Sequence, residues 1–195
     1  MQSAALKLLT ADAAQDPAVD PAVELEAFLR EVEARAYRIA ALELRDADEA
    51  LDAVQEAMIR LVGRYARRPS AEWRPLFYRI LKNRIRDGQR RRAVRNRIIG
   101  FFGAQVPELD PILTAPAPAS DDPLEKLASA DAMQALGEAL HALPKRQREA
   151  FMFRNFEGLD VAQTAAAMGC SEGSVKTHHS RAAKRLRELL GDHWL

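Results

Sequence analysis

From Asp20 onward, apolar residues recur three and four positions apart. Leu25, Phe28, Leu29, Val32, Ala36, Ile39 and Ala40 fall on one stripe, a period that an α-helix gathers onto a single face. Asp20 offers a capping carboxylate and Pro21 the fixed φ of a first helical position, so a helix is predicted to begin there. Asp46 to Asp48 interrupts the pattern and restarts it. A second helix is predicted to bury Leu51, Val54, Met58, Leu61, Val62 and Tyr65. Arg67 to Ser70 reads as a loop. A third helix from about Glu72 turns Trp73, Leu76, Phe77, Ile80 and Ile85 inward. Three helices with short connections predict a compact bundle.

The pattern resumes after a gap. Leu124, Leu127, Met133, Leu136 and Leu140 make another stripe, Leu143-Pro144 resets the chain, and a helix with Phe151 and Phe153 follows. Asn155 to Gly158 reads as a turn. Asp160 and Gln163 have the spacing of a capping box, Gly169 suits a left-handed helix end, and Ser171 can cap the last helix. On that helix Val175, His179, Ala182, Leu186 and Leu189 are expected to face the core. Two short helices joined at a glycine, the second of them basic, predict a helix-turn-helix. The intervening stretch, Ala104 to Pro123, holds five of the chain's 10 prolines and four acids without a base. Proline at that density blocks helix and makes a semi-rigid tether. The expectation is an all-α protein of two small helical domains. A mobile leader (1–21) precedes an N-terminal bundle (22–100); a Pro-rich acidic linker (101–123) leads to a C-terminal helix-turn-helix domain (124–195).

Composition agrees and narrows the setting. The 195 residues are 48% hydrophobic and 29% charged, with only 6% aromatics, a globular and helix-favouring balance. A single cysteine, Cys170, permits no internal disulfide and no cysteine metal cluster. The Ala4 to Leu9 run is too short for a signal core, and no apolar stretch nears the roughly 20 residues of a membrane helix. A cytoplasmic protein without membrane insertion is expected.

The net charge of +1 conceals strong segregation. Glu24 to Arg60 carries ten acids against five arginines, whereas Arg79 to Arg97 carries nine bases and one acid. A charge run is ordinarily a solvated face, but this density of like charge is relieved by a polyanion, whose phosphates release counterions on contact. Asn83, Arg84, Arg86, Arg90, Arg91 and Arg92 fall within or beside this run. On the second helix Asp52, Gln55, Glu56 and Ile59 share a face unsuited to DNA and suited to a protein partner. On the last helix Glu172, Ser174, Lys176, Thr177 and His178 sit where base edges are read, and Arg181, Lys184 and Arg185 where phosphates are met. His178 and His179 are adjacent, about 100° apart on a helix, and cannot pair on a metal. With no nucleophile–base set, phosphate loop or ligand spacing, no enzyme activity, metal or cofactor is expected.

Four motifs, in order, resemble one family. Asp52 to Ala57 is similar to the helix by which bacterial RNA polymerase sigma factors of the extracytoplasmic-function (ECF) group dock on the β′ clamp helices. Phe77 to Asp87 is similar to their −10 segment, Leu143 to Phe151 with Glu157-Gly158 to the start of their fourth region, and Gly169 to Thr177 to their −35 recognition helix. The resemblance runs from about Ala22 to Gly191. It implies core polymerase (β′ clamp helices and β flap) and promoter DNA as partners, with room for an anti-sigma factor. It implies that Asn83 and the Arg64–Ser70 loop hold a flipped −10 base, and that Arg86 and Arg90 to Arg92 grip the backbone beside the melted strand. It also implies that the linker lies in polymerase channels. The family often carries Trp at the position of Leu76; here Trp73 sits one turn earlier. Two competing readings are a stand-alone helix-turn-helix regulator binding an operator, and a sigma mimic that sequesters an anti-sigma protein.

Overall fold

A computed structural model of the chain describes residues 20–101 and 123–191. Among the described residues it contains seven α-helices and no strand: α1 (Pro21–Leu44), α2 (Ala47–Tyr65), α3 (Ser70–Phe101), α4 (Pro123–His141), α5 (Lys145–Asn155), α6 (Val161–Met168) and α7 (Glu172–Leu190). The expected leader and most of the expected linker lie outside the described residues. The third helix is longer than its apolar pattern predicts and starts two residues earlier, so the loop before it is only 66–69.

Local chemistry sets the helix ends as expected. Asp20 accepts from the Ala22 amide at 2.9 Å with Pro21 opening α1. Asp46 accepts from Glu49 N at 2.9 Å to start α2. The corner between these helices places Arg45 at φ 51°, a left-handed conformation carried here by a non-glycine residue. Asp160 and Gln163 close the capping box that begins α6, Gly169 ends it at φ 66°, and Ser171 accepts from Ser174 N to begin α7.

Helices α1, α2 and α3 pack on one another, and α4 to α7 form a second group around α7. In the first, Val32, Ala36, Val54, Ala57, Leu61 and Phe77 are fully buried. Phe77 meets Tyr78 edge-on at 5.2 Å between ring centroids, a geometry that ring quadrupoles favour. The Trp73 indole N–H donates to the Tyr65 carbonyl at 3.2 Å, tying the start of α3 to the end of α2. In the second group Val175, Ala182, Leu186 and Leu190 of α7 are buried. Leu190 takes the inward place expected of Leu189, because a strict 3.6-residue period advances the stripe by one position at the helix end. Two residues expected in the first core are instead exposed. Leu51 and Val62 lie outside, and alanines 50, 53 and 57 face inward. Small side chains there let α2 lie close against its neighbours.

The two groups also pack together. Helix α6 lies against α3, Tyr78 meets Phe153 at 5.5 Å, and the last four residues of α1, Ala41 to Leu44, are all buried.

Candidate nucleic-acid interface

Two outward basic faces emerge, one on each group. Along α3, Arg79, Arg86, Arg90 and Arg97 are exposed and recur at i, i+7, i+11 and i+18. That spacing places them within about 40° on one side of the helix, over about 27 Å of its length. Asn83 is half-buried beside this stripe. Arg91 is exposed but lies off it.

Two other α3 arginines serve the fold. Arg84 pairs with Glu56 at 2.7 Å. Arg92 donates to the Leu44 carbonyl and pairs with Asp46 at 3.0 Å and Glu49 at 3.4 Å. Arg92 thus neutralises the acids of the α1–α2 corner and supplies a cation to the carbonyl end of α1. Read from the sequence, Arg90, Arg91 and Arg92 are one cluster; the helix turns the third of them inward. Arg79 and Arg97 were missed as members of the stripe, although the same 3.6-residue period that finds apolar faces would have found them.

On α7 the outward face carries Glu172, Lys176, Thr177, Arg181, Lys184 and Arg185, all exposed. Two expected readers are less available. Ser174 is half-buried and its hydroxyl lies 2.9 Å from that of Ser171. His178 is half-buried, with Nδ1 shielded from solvent and unpaired. Thr177 Oγ1 donates to the Gly173 carbonyl at 2.9 Å, which fixes its rotamer. Arg185 pairs with Glu188 at 3.0 Å on the surface, an interaction weak enough to exchange for a phosphate. His179 turns away from this face. It stacks on Phe151 at 5.9 Å and meets Asn155 Oδ1 at 2.7 Å. Burial, then the nearby charge of Arg154, hold its imidazole below the ordinary value.

On α2, Asp52, Gln55, Glu56 and Ile59 are exposed together, as expected. The structure adds Leu51 and Val62, so the acids flank an apolar strip in which Ile59 is 71% exposed. Near the start of α3, an open hollow of ≈ 460 Å³ is lined by Phe28, Ser70, Trp73 and Arg74, and by Gln163 of α6. Trp73 itself is almost wholly buried and belongs to the core. Among the described residues no group of three or more His, Cys, Asp or Glu could hold a metal ion, and no helix is long and apolar enough to cross a membrane.

The two groups of helices match two family models in order. Residues 25–95 match sigma-70 region 2, and residues 133–186 match sigma-70 region 4. The RNA polymerase sigma-E factor of Streptomyces avermitilis is 30% identical over 168 residues, covering 86% of each chain. The chain belongs to the sigma-70 family, in the ECF group. The ECF sigma factor SigM of Mycobacterium tuberculosis is 30% identical over 158 residues, 80% of this chain and 71% of the relative. Among solved structures, the sigma factor RpoE in complex with the anti-sigma factor NepR from Bartonella quintana superposes with a TM-score of 0.59 at 27% identity, over 85% of this chain and 97% of that one. As a sigma factor the protein directs promoter-specific transcription initiation by RNA polymerase. Two matched regions in the family's order do not favour a stand-alone operator-binding regulator.

Proposed function

We propose a division of labour among the three exposed faces. The acidic and apolar face of α2 (Leu51, Asp52, Gln55, Glu56, Ile59, Val62) docks on the β′ clamp helices of core polymerase. Asn83 and the stripe Arg79, Arg86, Arg90 and Arg97, with Arg91 beside it, meet the −10 element and its melted strand. Glu172, Lys176 and Thr177 read −35 base edges, while Arg181, Lys184 and Arg185 hold phosphates. Region 4 also engages the β flap. In this reading the boundaries are an N-terminal region 2 domain and a C-terminal region 4 domain on either side of the proline-rich segment. The protein acts in the cytoplasm and performs no chemistry of its own, which belongs to the polymerase. An anti-sigma factor is a further partner in this reading, by analogy with the NepR complex of the structural neighbour.

The observation that carries this assignment is the separation of sign. The basic faces lie on α3 and α7, and the acidic face lies on α2, where DNA would be repelled. Transcription of fragmented genomic DNA by core polymerase supplemented with this chain, followed by transcript sequencing, tests it. Expected are start sites that share one −35 and −10 pair, and that depend on the added chain. A chain that binds duplex tightly alone and adds no start sites would overturn the assignment.

A further inference from the structure

The seam between the region 2 helices and the region 4 helices is not fully filled. Arg148 holds it by forking onto Glu43, Nε to Oε1 at 2.6 Å and Nη2 to Oε2 at 3.1 Å. Tyr78 holds it by donating its phenol proton to Glu157. Beside these contacts lies a cavity of ≈ 380 Å³, walled by α1, α4, α5 and the turn that follows α5. That volume falls within the range of sites that hold small organic molecules. A compact space of this volume is about 7 Å on a side, narrower than the about 10–12 Å of a helix with its side chains. It suits a small molecule rather than a partner helix.

The lining is divided by polarity. Ile39, Leu42, Met133, Leu136, Leu140 and Met152 supply apolar walls. The polar groups are few: Arg35, Arg38, Asn155 and Glu157. Asn155 Oδ1 is taken by His179. Arg35 reaches Glu31 only at 3.9 Å. Arg38 is exposed and makes no ion pair among the described residues. Both arginines act on the Glu157 carboxyl through their charge, so the three groups gather near one another.

Glu157 is the group left wanting a partner. It is 3% exposed. One carboxyl oxygen accepts from Tyr78, and the other, Oε1, is shielded and unpaired. A buried polar atom in that state costs stability until something bonds it. The surroundings decide what that is. Burial pushes the carboxyl up, against the lowering effects of Tyr78 and the nearby arginines. A hydroxyl bonds such a group in either protonation state, since it both donates and accepts. Two arginines against one carboxyl make the local field positive, which selects an anionic head over an amine. The apolar walls call for a hydrocarbon body.

We propose that this cavity binds a small amphiphilic hydroxy acid, with its hydrocarbon chain between α1, α4 and α5, its carboxylate on Arg35 and Arg38, and its hydroxyl on Glu157. The ligand touches region 2 through α1 and region 4 through α4 and α5. It therefore bridges the two halves that carry the basic faces, and stabilises the folded chain by mass action. The site uses none of the residues assigned above to promoter DNA or to core polymerase. It stands or falls independently of that assignment.

Titration calorimetry on the full-length chain tests it, with 3-hydroxydecanoate, decanoate and decylamine as probes below the concentrations at which they form micelles. Expected is one saturable site for 3-hydroxydecanoate, about tenfold weaker binding of decanoate, which lacks the hydroxyl, and no site for decylamine. Arg38→Ala should weaken binding of the hydroxy acid about tenfold. Met133→Trp should fill the apolar part of the cavity and abolish binding. Circular dichroism should show the natural helix content in both variants; if Met133→Trp loses it, the smaller change Leu136→Phe should still weaken binding. No saturable binding, or binding as tight in the variants as in the natural chain, would overturn the proposal. So would equal binding of decanoate and the hydroxy acid, which removes Glu157 from the site, or of decanoate and decylamine, which leaves a bare apolar patch. Binding seen only after removal of residues 1–19 would give the cavity to the chain's own leader and overturn it too.

Discussion

At the residue scale, a few side chains and one backbone angle decide whether the reading head is built. Gly169 ends α6 at φ 66°, and nothing lies within 4 Å of the place a Cβ would occupy. The cost of Gly169→Ala is therefore conformational alone, about 1 kcal/mol. Thermal unfolding should show that loss with helix content unchanged; an equal or higher midpoint would mean the turn relaxes. His179 adds a pH dependence. Its folded pKa is depressed, by burial first and then by Arg154, so the folded chain binds this proton less readily than the unfolded one. The stabilisation is present above the ordinary imidazole value of 6.5 and is lost as pH falls below it. The melting temperature should fall more for the natural chain than for His179→Phe between about pH 7.5 and about pH 5.5. Equal falls would show that His179 is not the group responsible. His141 is depressed in the same sense, by burial and then by Arg45 and Arg148; the difference between natural chain and variant isolates His179.

At the element scale, the argument concerns which side of a helix is left over after packing. On α2 the inward positions are Ala50, Ala53, Val54, Ala57 and Leu61, and the outward strip is acidic with an apolar centre. Glu56 is tied to Arg84, whereas Asp52 is exposed and makes no ion pair among the described residues. Asp52→Lys should weaken core-polymerase binding about tenfold, with stability within about 0.5 kcal/mol of the natural chain. Ile59→Ala should weaken it too, since its exposed side chain contributes nothing to the core. Unchanged binding in both would remove α2 from the interface. The sequence gives away α2's acids by spacing, but it misplaces Leu51 and Val62. Apolar character alone cannot distinguish a core position from a docking position on the same helix. The basic run on α3 has the inverse problem. Nine bases look alike by composition; the helical period sets Arg84 and Arg92 off the outward stripe, and only the partners Glu56, Asp46 and Glu49 show what those two do there.

At the scale of the whole molecule, what is local in the chain is legible and what is distant is not. Helix starts at Asp20, Asp46, Asp160 and Ser171, the stop at Gly169, and the order of two helical regions all follow from contacts within four residues. The same holds for the sign of each exposed face and for the four motifs that mark a sigma factor. The seam does not follow, because Glu43 and Arg148 are 105 positions apart and Tyr78 and Glu157 are 79 apart. Glu43 and Arg148 look like ordinary surface on their own helices and Glu157 like an ordinary turn residue, and the last turn of α1 is buried only in the packed molecule. The sequence by itself determined the family, the helices and the polarity of their faces. Tertiary structure alone decided which charges are spent on holding the protein together and how the two reading heads sit against each other, since that depends on pairings that no local period records.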